Sequence, residues 1–242
     1  MSLCLKSLLV VSFAIIGVGI VACSSSSTVS PTVISATPPP SPTPTNPRAL
    51  LQEAGKVMED LTSFAFRLEH RSGVTPLPLG IALEEAEGEV VKPDKIATRF
   101  GGTLGRIYIK FSLITIGSES FMTNPVSGRW ETVAPDVSPL GFFNPSEGIA
   151  AIMSQVEDPV LISSNSDEYR INGKLPAEAL SPLLGDTVTG TTVNVELKID
   201  SEELFLIEAV IEGRVTETEP DGVVRVIKLS RFNEPITINP PQ

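Results

Sequence analysis

His70 is the chain's one histidine, so proton-shuttling chemistry would have to start there. A serine or cysteine triad needs that imidazole beside a nucleophile, and no strand-Gly-x-Ser-x-Gly-helix elbow is present. The two cysteines, Cys4 and Cys23, both lie in the N-terminal leader, away from any folded site. His70 therefore reads as a structural or solvated residue at a strand end. Zinc would need soft ligands or a pair of histidines, so no metal and no cofactor are expected. Glu84, Glu85, Glu87 and Glu89 gather carboxylates, yet Glu85, Glu87 and Glu89 alternate with Ala86, Gly88 and Val90, as on the solvated face of a strand. Gly101-Gly102-Thr103-Leu104-Gly105 has the glycines of a phosphate loop, but a strand follows it rather than a helix N-terminus, so it reads as a turn. A carboxylate-only mechanism leaves little trace in sequence. With no catalytic constellation, the chain is not expected to be an enzyme.

Cys23 carries a different chemistry. Lys6 precedes an apolar stretch from Leu8 to Val18, and Ile20-Val21-Ala22-Cys23 follows. The stretch is shorter than the roughly 20 residues of a membrane-spanning helix and ends in small residues, the pattern of a cleaved secretory signal. Ile-Val-Ala-Cys resembles the bacterial lipobox, which implies signal removal over residues 1–22 and a diacylglyceryl group, with palmitate-type acyl chains, on the Cys23 sulfur. Cys4 then leaves with the signal and Cys23 is occupied, so the mature domain has no disulfide. Residues 23–45 are rich in Ser, Thr and Pro, including Pro38-Pro39-Pro40, and cannot build a core. Such a chain favours polyproline II at about 3.1 Å per residue, a tether holding a folded domain, residues 46–242, away from the bilayer.

The formal net charge is −11. Phosphate backbones are bound by clustered Lys and Arg, and here basic residues are scattered among more numerous acids, which excludes nucleic acid as a partner. The same balance disfavours flat contact with an anionic membrane.

The elements that must position any site follow from periodicity. Asn46-Pro47 is an N-cap with proline at the first helical position, and Leu50, Leu51, Ala54, Val57, Met58 and Leu61 recur at helical spacing. Phe64, Phe66 and Leu68 alternate with Ala65, Arg67 and Glu69, a strand with one buried face. Strands are expected at Ala82–Val91, Lys95–Phe100, Arg106–Thr115 and Glu119–Thr123. A helix capped by Asn144-Pro145-Ser146-Glu147 then carries Ile149, Ile152, Met153 and Val156. Beyond it come Val160–Ser163, Glu168–Gly173 and a short helix near Pro176–Leu180. A hairpin of Val193–Ile199 and Leu204–Ile211 turns at Asp200–Glu203, and Val223–Ser230 and Ile236–Ile238 close the chain. The sum is an α+β fold: one large, strongly curved antiparallel sheet with a few helices on one face.

From Ala49 to Pro240 the chain resembles the LppX/LprAFG-type lipoproteins of mycobacteria. The segments that carry the resemblance are Gly88-Glu89-Val90-Val91-Lys92-Pro93, Gly128-Arg129-Trp130, Phe143-Asn144-Pro145, Tyr169 to Pro176 and Pro235 to Pro240, in order and behind a lipobox. It implies a half-barrel sheet wrapped around helices, similar to the LolA and LolB lipoprotein carriers, with an apolar cavity between the layers. It implies a carrier of long-chain lipid within the cell envelope and no catalytic residue. Candidate lining residues are Phe64, Phe66, Ile107 and Ile109 on the inward strand face and Ile149, Ile152 and Met153 on the helix, with Phe142 and Phe143 near an entrance. The acidic balance points to neutral cargo, and a membrane lipid exporter is a further candidate partner. Two rival readings are a scaffolding lipoprotein without cargo and a carrier of other lipoproteins.

Overall fold

Asn46 opens the first helix as its cap. Its side-chain oxygen accepts from the backbone N–H of Arg48 at 3.0 Å and of Ala49 at 3.4 Å, and Pro47 takes the first helical position of α1 (Pro47–Glu59). Two of the unpaired N–H groups of a helix start are thereby satisfied. Leu50, Leu51, Ala54 and Met58 form the buried face. The other end is closed from a distance: Lys92 Nζ donates to the carbonyls of Met58 at 3.0 Å and Glu59 at 2.8 Å. A cation at a helix C-terminus also meets the negative end of the helix dipole.

The computed structural model describes residues 46–77, 80–134 and 148–241. After α1 come β1 (Ser63–Ser72), β2 (Thr75–Leu77), β3 (Ile81–Val91), β4 (Lys95–Leu104), β5 (Ile107–Ile116), β6 (Glu119–Thr123) and β7 (Trp130–Val133). Then α2 (Gly148–Ser154) leads into β8 (Glu157–Ser164) and β9 (Glu168–Pro176). A 3-10 turn (Ala177–Leu180), α3 (Ser181–Leu184), β10 (Thr192–Asp200), β11 (Leu206–Glu212) and β12 (Val224–Ser230) complete the order. The twelve strands form one antiparallel sheet, ordered β7-β6-β5-β4-β3-β1-β12-β11-β10-β9-β8, with β2 paired to β3. Two meanders, β3 to β7 and β8 to β12, thus flank β1, which pairs with β3 on one side and β12 on the other. The end strands β7 and β8 do not pair with each other, so the sheet is open.

Alternation decides which face is buried. Phe64, Phe66 and Leu68 of β1 lie opposite Val90, Gly88 and Ala86 of β3, while Phe66 and Leu68 also lie opposite Leu229 and Ile227 of β12. This inner face and the helices make the larger core, built around Met58, Met153, Leu175, Leu180, Ile171 and Ile199. A smaller cluster covers β3 to β5, where the Phe100 and Phe111 rings stack with centroids 4.8 Å apart. On the outer face Arg67 pairs with Glu69 at 2.6 Å and Glu87 at 3.3 Å, and Arg99 holds Glu87 at 2.8 Å. The acidic run is therefore a solvated face laced by arginines.

The structure departs from the sequence reading in several places. Gly101 and Gly102 lie inside β4, and only Gly105 and Arg106 form the turn. The glycines are there for space: a Cβ on Gly102 would collide with the Ala82 carbonyl, and one on Gly101 with the Tyr108 hydroxyl. Ile236–Ile238 is not a strand. The tail is pinned instead by side chains, with Asn233 Oδ1 accepting from Thr62 N at 2.8 Å and Thr62 Oγ1 at 3.0 Å, and Ser63 Oγ donating to the Glu234 carbonyl at 2.6 Å. Pro235, Pro240 and Pro241 remove the donors a ladder would need. The short strands β2 and β7 had no sequence signal above the turn residues around them. The expected helix cap at Asn144–Glu147 lies outside the described residues.

Candidate functional site

A cavity of about 130 Å³ lies between the inner sheet face and the helices. Phe64, Phe66 and Leu68 of β1 form one wall, continued by Val195 and Leu197 of β10, Ala209 and Ile211 of β11, and Ile227 and Leu229 of β12. The opposite wall is Ile149, Ile152 and Met153 of α2, Val156, and Leu180, Leu183 and Leu184. Helix α1 packs against α2 and reaches the sheet through Met58, whose sulfur accepts from Leu206 N at 3.3 Å, but none of its described residues lines the space. Among the described residues that line the space, Thr75 and Arg225 alone carry polar side chains.

Five of the candidate residues, Phe64, Phe66, Ile149, Ile152 and Met153, lie on this cavity. Two do not. Ile109 is buried in the smaller cluster over β3 to β5, and Ile107 is 68 % exposed at the start of β5. Both face the inner side as alternation requires, but Ile107 remains largely open to solvent. Phe142, Phe143 and Cys23 lie outside the described residues. The sequence reading missed the lining from β10, β11 and β12, although Val195, Leu197 and Ile211 carry the same period-two signal as Phe64 and Phe66.

It also missed the ion pair in the cavity wall. Arg225 and Glu219 are both fully buried, and the Arg225 guanidinium donates to a Glu219 carboxylate oxygen. Arg225 Nε also donates to Thr75 Oγ1 at 3.0 Å, and its Nη1 to the Gly213 carbonyl at 3.4 Å. The second Glu219 oxygen accepts from the backbone N–H of Val215 at 2.7 Å and of Thr216 at 3.2 Å. The pair is thus hydrogen-bonded on every side, the condition under which burial of two charges is tolerated. Arg225 shares its inward phase with Ile227 and Leu229, and a charge at an apolar phase is the signal that would have revealed it.

His70 completes the network. Its Nδ1 lies 2.9 Å from the Glu84 carbonyl, so Nδ1 carries the proton, and its Nε2 lies 2.9 Å from Thr75 Oγ1 and accepts. Arg225, Thr75, His70 and Glu84 therefore form one directed chain across β12, β2, β1 and β3. Among the described residues no three His, Cys, Asp or Glu side chains gather as metal ligands.

Residues 46–238 match the model of the LppX_LprAFG lipoprotein family. The chain belongs to the LppX/LprAFG lipoprotein family. Its fold is similar to that of LprF from Mycobacterium bovis, with a TM-score of 0.60 at 16% identity over 80% of this chain and 96% of that one. Lipoprotein LppX from Mycobacterium tuberculosis is similar at a TM-score of 0.53 and 16% identity, over 79% of this chain and 97% of that one. A LolA superfamily protein from Nitrosomonas europaea aligns at 13% identity with a TM-score of 0.28, over 78% of this chain and 93% of that one. No curated protein matches the sequence.

In this LppX/LprAFG protein the histidine network makes stability depend on pH. Burial holds the His70 imidazole below its ordinary value, the nearby Arg225 cation adds to that, and the Glu84 carbonyl and the Glu219 and Glu84 carboxylates oppose it. A histidine with a depressed folded-state pKa binds its proton more readily when unfolded. Its contribution is therefore complete above the unfolded value of about 6.5 and declines as pH falls from there toward the folded value. Urea midpoints measured from pH 7.5 to 5 are expected to fall through this window, and the His70→Gln variant is expected to lose that slope.

Proposed function

We propose that this protein is a membrane-anchored extracytoplasmic lipoprotein that binds the acyl chains of long-chain lipid and carries them within the cell envelope. The observation that carries the reading is the cavity: a space between sheet and helices walled by aliphatic and phenyl side chains. Apolar surface withdrawn from water contributes about 25 cal/mol per Å², or about 0.8 kcal/mol per methylene, so an acyl chain needs no special chemistry to be held there. Membership of a lipoprotein family and a fold shared with LprF and LppX support the same reading.

Two features refine it. Pockets for drug-sized ligands run to roughly 300–1,000 Å³, so the present space holds only part of a long chain, and loading requires it to widen. Among the described lining residues the one cation, Arg225, is already neutralised by Glu219. A neutral cargo fits this wall better than an anionic one, since an acidic head group would have to displace Glu219. A membrane lipid exporter is the partner such a carrier would serve.

The anchoring proposal is separate. Residues 1–22 are removed as a signal, Cys23 is acylated, and residues 23–45 form the tether to the domain at 46–242. Cys23→Ala is expected to move the protein from the membrane fraction into the medium, read by immunoblot of the two fractions; retention would defeat this assignment.

Native and lipid-extracted mass spectrometry of the full chain purified from membranes tests the carrier reading. Acyl lipid near one per chain is expected. Protein that arrives empty and refuses added lipid would favour a scaffolding lipoprotein, and co-purified lipoprotein in place of lipid would favour a carrier of lipoproteins.

A further inference from the structure

The β4–β5 hairpin tip combines two properties. First, it exposes large apolar side chains: Leu104 is 44 % exposed, Ile107 68 % and Tyr108 46 %. The ladder explains how they are arranged. Leu77, Ile81, Leu104 and Ile107 lie opposite one another on β2, β3, β4 and β5. Leu77 lines the cavity, Ile81 is 8 % exposed, and exposure then rises to Ile107 at the tip. One apolar row thus runs from the cavity wall to open solvent.

Second, the hairpin's own residues carry only positive charge, although Arg99 is paired with Glu87 of β3 and the Tyr108 hydroxyl donates to Glu85 Oε1 at 2.9 Å. From Lys95 to Ser118 the chain holds Lys95, Arg99, Arg106 and Lys110 and no Asp or Glu, in a protein of formal net charge −11. Arg106 sits in the turn itself, and Lys110 reaches back over the Tyr108 ring at 5.9 Å from its centroid. Apolar side chains at the tip with cations in the turn and behind them are the arrangement of a segment that enters the interfacial layer of a bilayer. Cations near an anionic leaflet add attraction that falls off within a Debye length, so a projecting hairpin can use it while the acidic body stays back.

We infer that the β4–β5 hairpin tip docks into the surface of an anionic lipid bilayer, with Leu104 and Ile107 inserted and Arg106 and Lys110 at the head groups. This deepens the carrier reading by naming the surface with which the cavity exchanges its lipid. The two are separable: an empty cavity would defeat the carrier reading and leave docking intact, whereas an undocked tip would leave the lipid load unchanged.

The test places a single tryptophan in the full chain. On a Trp130→Phe background, which removes the natural one, tryptophan is introduced at the tip (Ile107→Trp) or in the β5–β6 turn beyond the other end of β5 (Ser118→Trp). Each protein is purified from membranes and reconstituted into vesicles of phosphatidylglycerol and brominated phosphatidylcholine. Emission from the tip is expected to shift to the blue and to be largely quenched, with the Ser118→Trp protein unaffected. Equal quenching at both positions, or none at the tip, overturns the inference. Hydrogen exchange in the unaltered chain provides a second reading that keeps Trp130. Residues 104–108 are expected to gain protection on reconstitution, and unchanged exchange overturns the inference.

Discussion

Glu219→Ala is expected to lower the unfolding free energy by about 3–5 kcal/mol, because it leaves the Arg225 guanidinium buried without its counter-charge. Both side chains are fully buried, and Glu219 also accepts two backbone N–H groups, from Val215 and Thr216, that would lose their partner. The Arg225 side chain is further tied to β2, where its Nε donates to Thr75. Urea midpoints at constant m-value are the measurement. A loss below about 1 kcal/mol would mean that water already reaches the pair, since exposed ion pairs are worth that little. Arg67→Ala on the outer face, where the ion pairs are solvated, serves as the comparison and is expected to change the midpoint only slightly.

Ala209→Phe is expected to fill the cavity and to reduce co-purified acyl lipid to about a tenth or less. Ala209 lies opposite Leu197 of β10 and Ile227 of β12, both lining residues, and its methyl group points into the same space. A phenyl ring there takes volume from a cavity of about 130 Å³. Excluding two methylenes of the cargo would cost about 1.6 kcal/mol of binding, already more than tenfold. Overpacking costs typically about 1–3 kcal/mol, so the variant is expected to remain folded with a lower urea midpoint. Val210→Phe on the neighbouring position of the opposite face separates the two effects. It should leave the lipid load as it is. An Ala209→Phe protein that keeps its lipid would place the chain elsewhere.

What the sequence made legible was whatever depends on local period. The α1 cap at Asn46, the β10–β11 hairpin with its turn at Asp200, and the inward phase of Phe64, Phe66, Ile149, Ile152 and Met153 all follow from spacings within one element. What it concealed depends on where one element ends relative to another. Ile107 has the correct phase for the inner face, but whether that face is covered depends on how far the helical layer extends. Gly101 and Gly102 look like a turn until the carbonyl of Ala82 on the neighbouring strand is placed against them. Arg225 and Glu219 are six positions apart and separated by the Pro220-Asp221-Gly222 turn, so only the fold shows that they meet inside the wall. Lys92 is similar: it belongs to a segment carrying the family resemblance, and its work is to close a helix that ended more than thirty positions earlier.

The unpaired ends of the sheet have a mechanical consequence. In a closed barrel the strand number and stagger set the diameter, and the hoop cannot widen without breaking hydrogen bonds. A hoop left unjoined between β7 and β8 has no such fixed girth. Widening can be shared as a small change of twist at every strand-to-strand joint, with each ladder intact, while the outer ion pairs Arg67–Glu87–Arg99 act as ties that resist it. Such a frame behaves as a leaf spring. In a carrier of the kind proposed above, that freedom would let one chain accept cargoes of different thickness with the change shared among many joints.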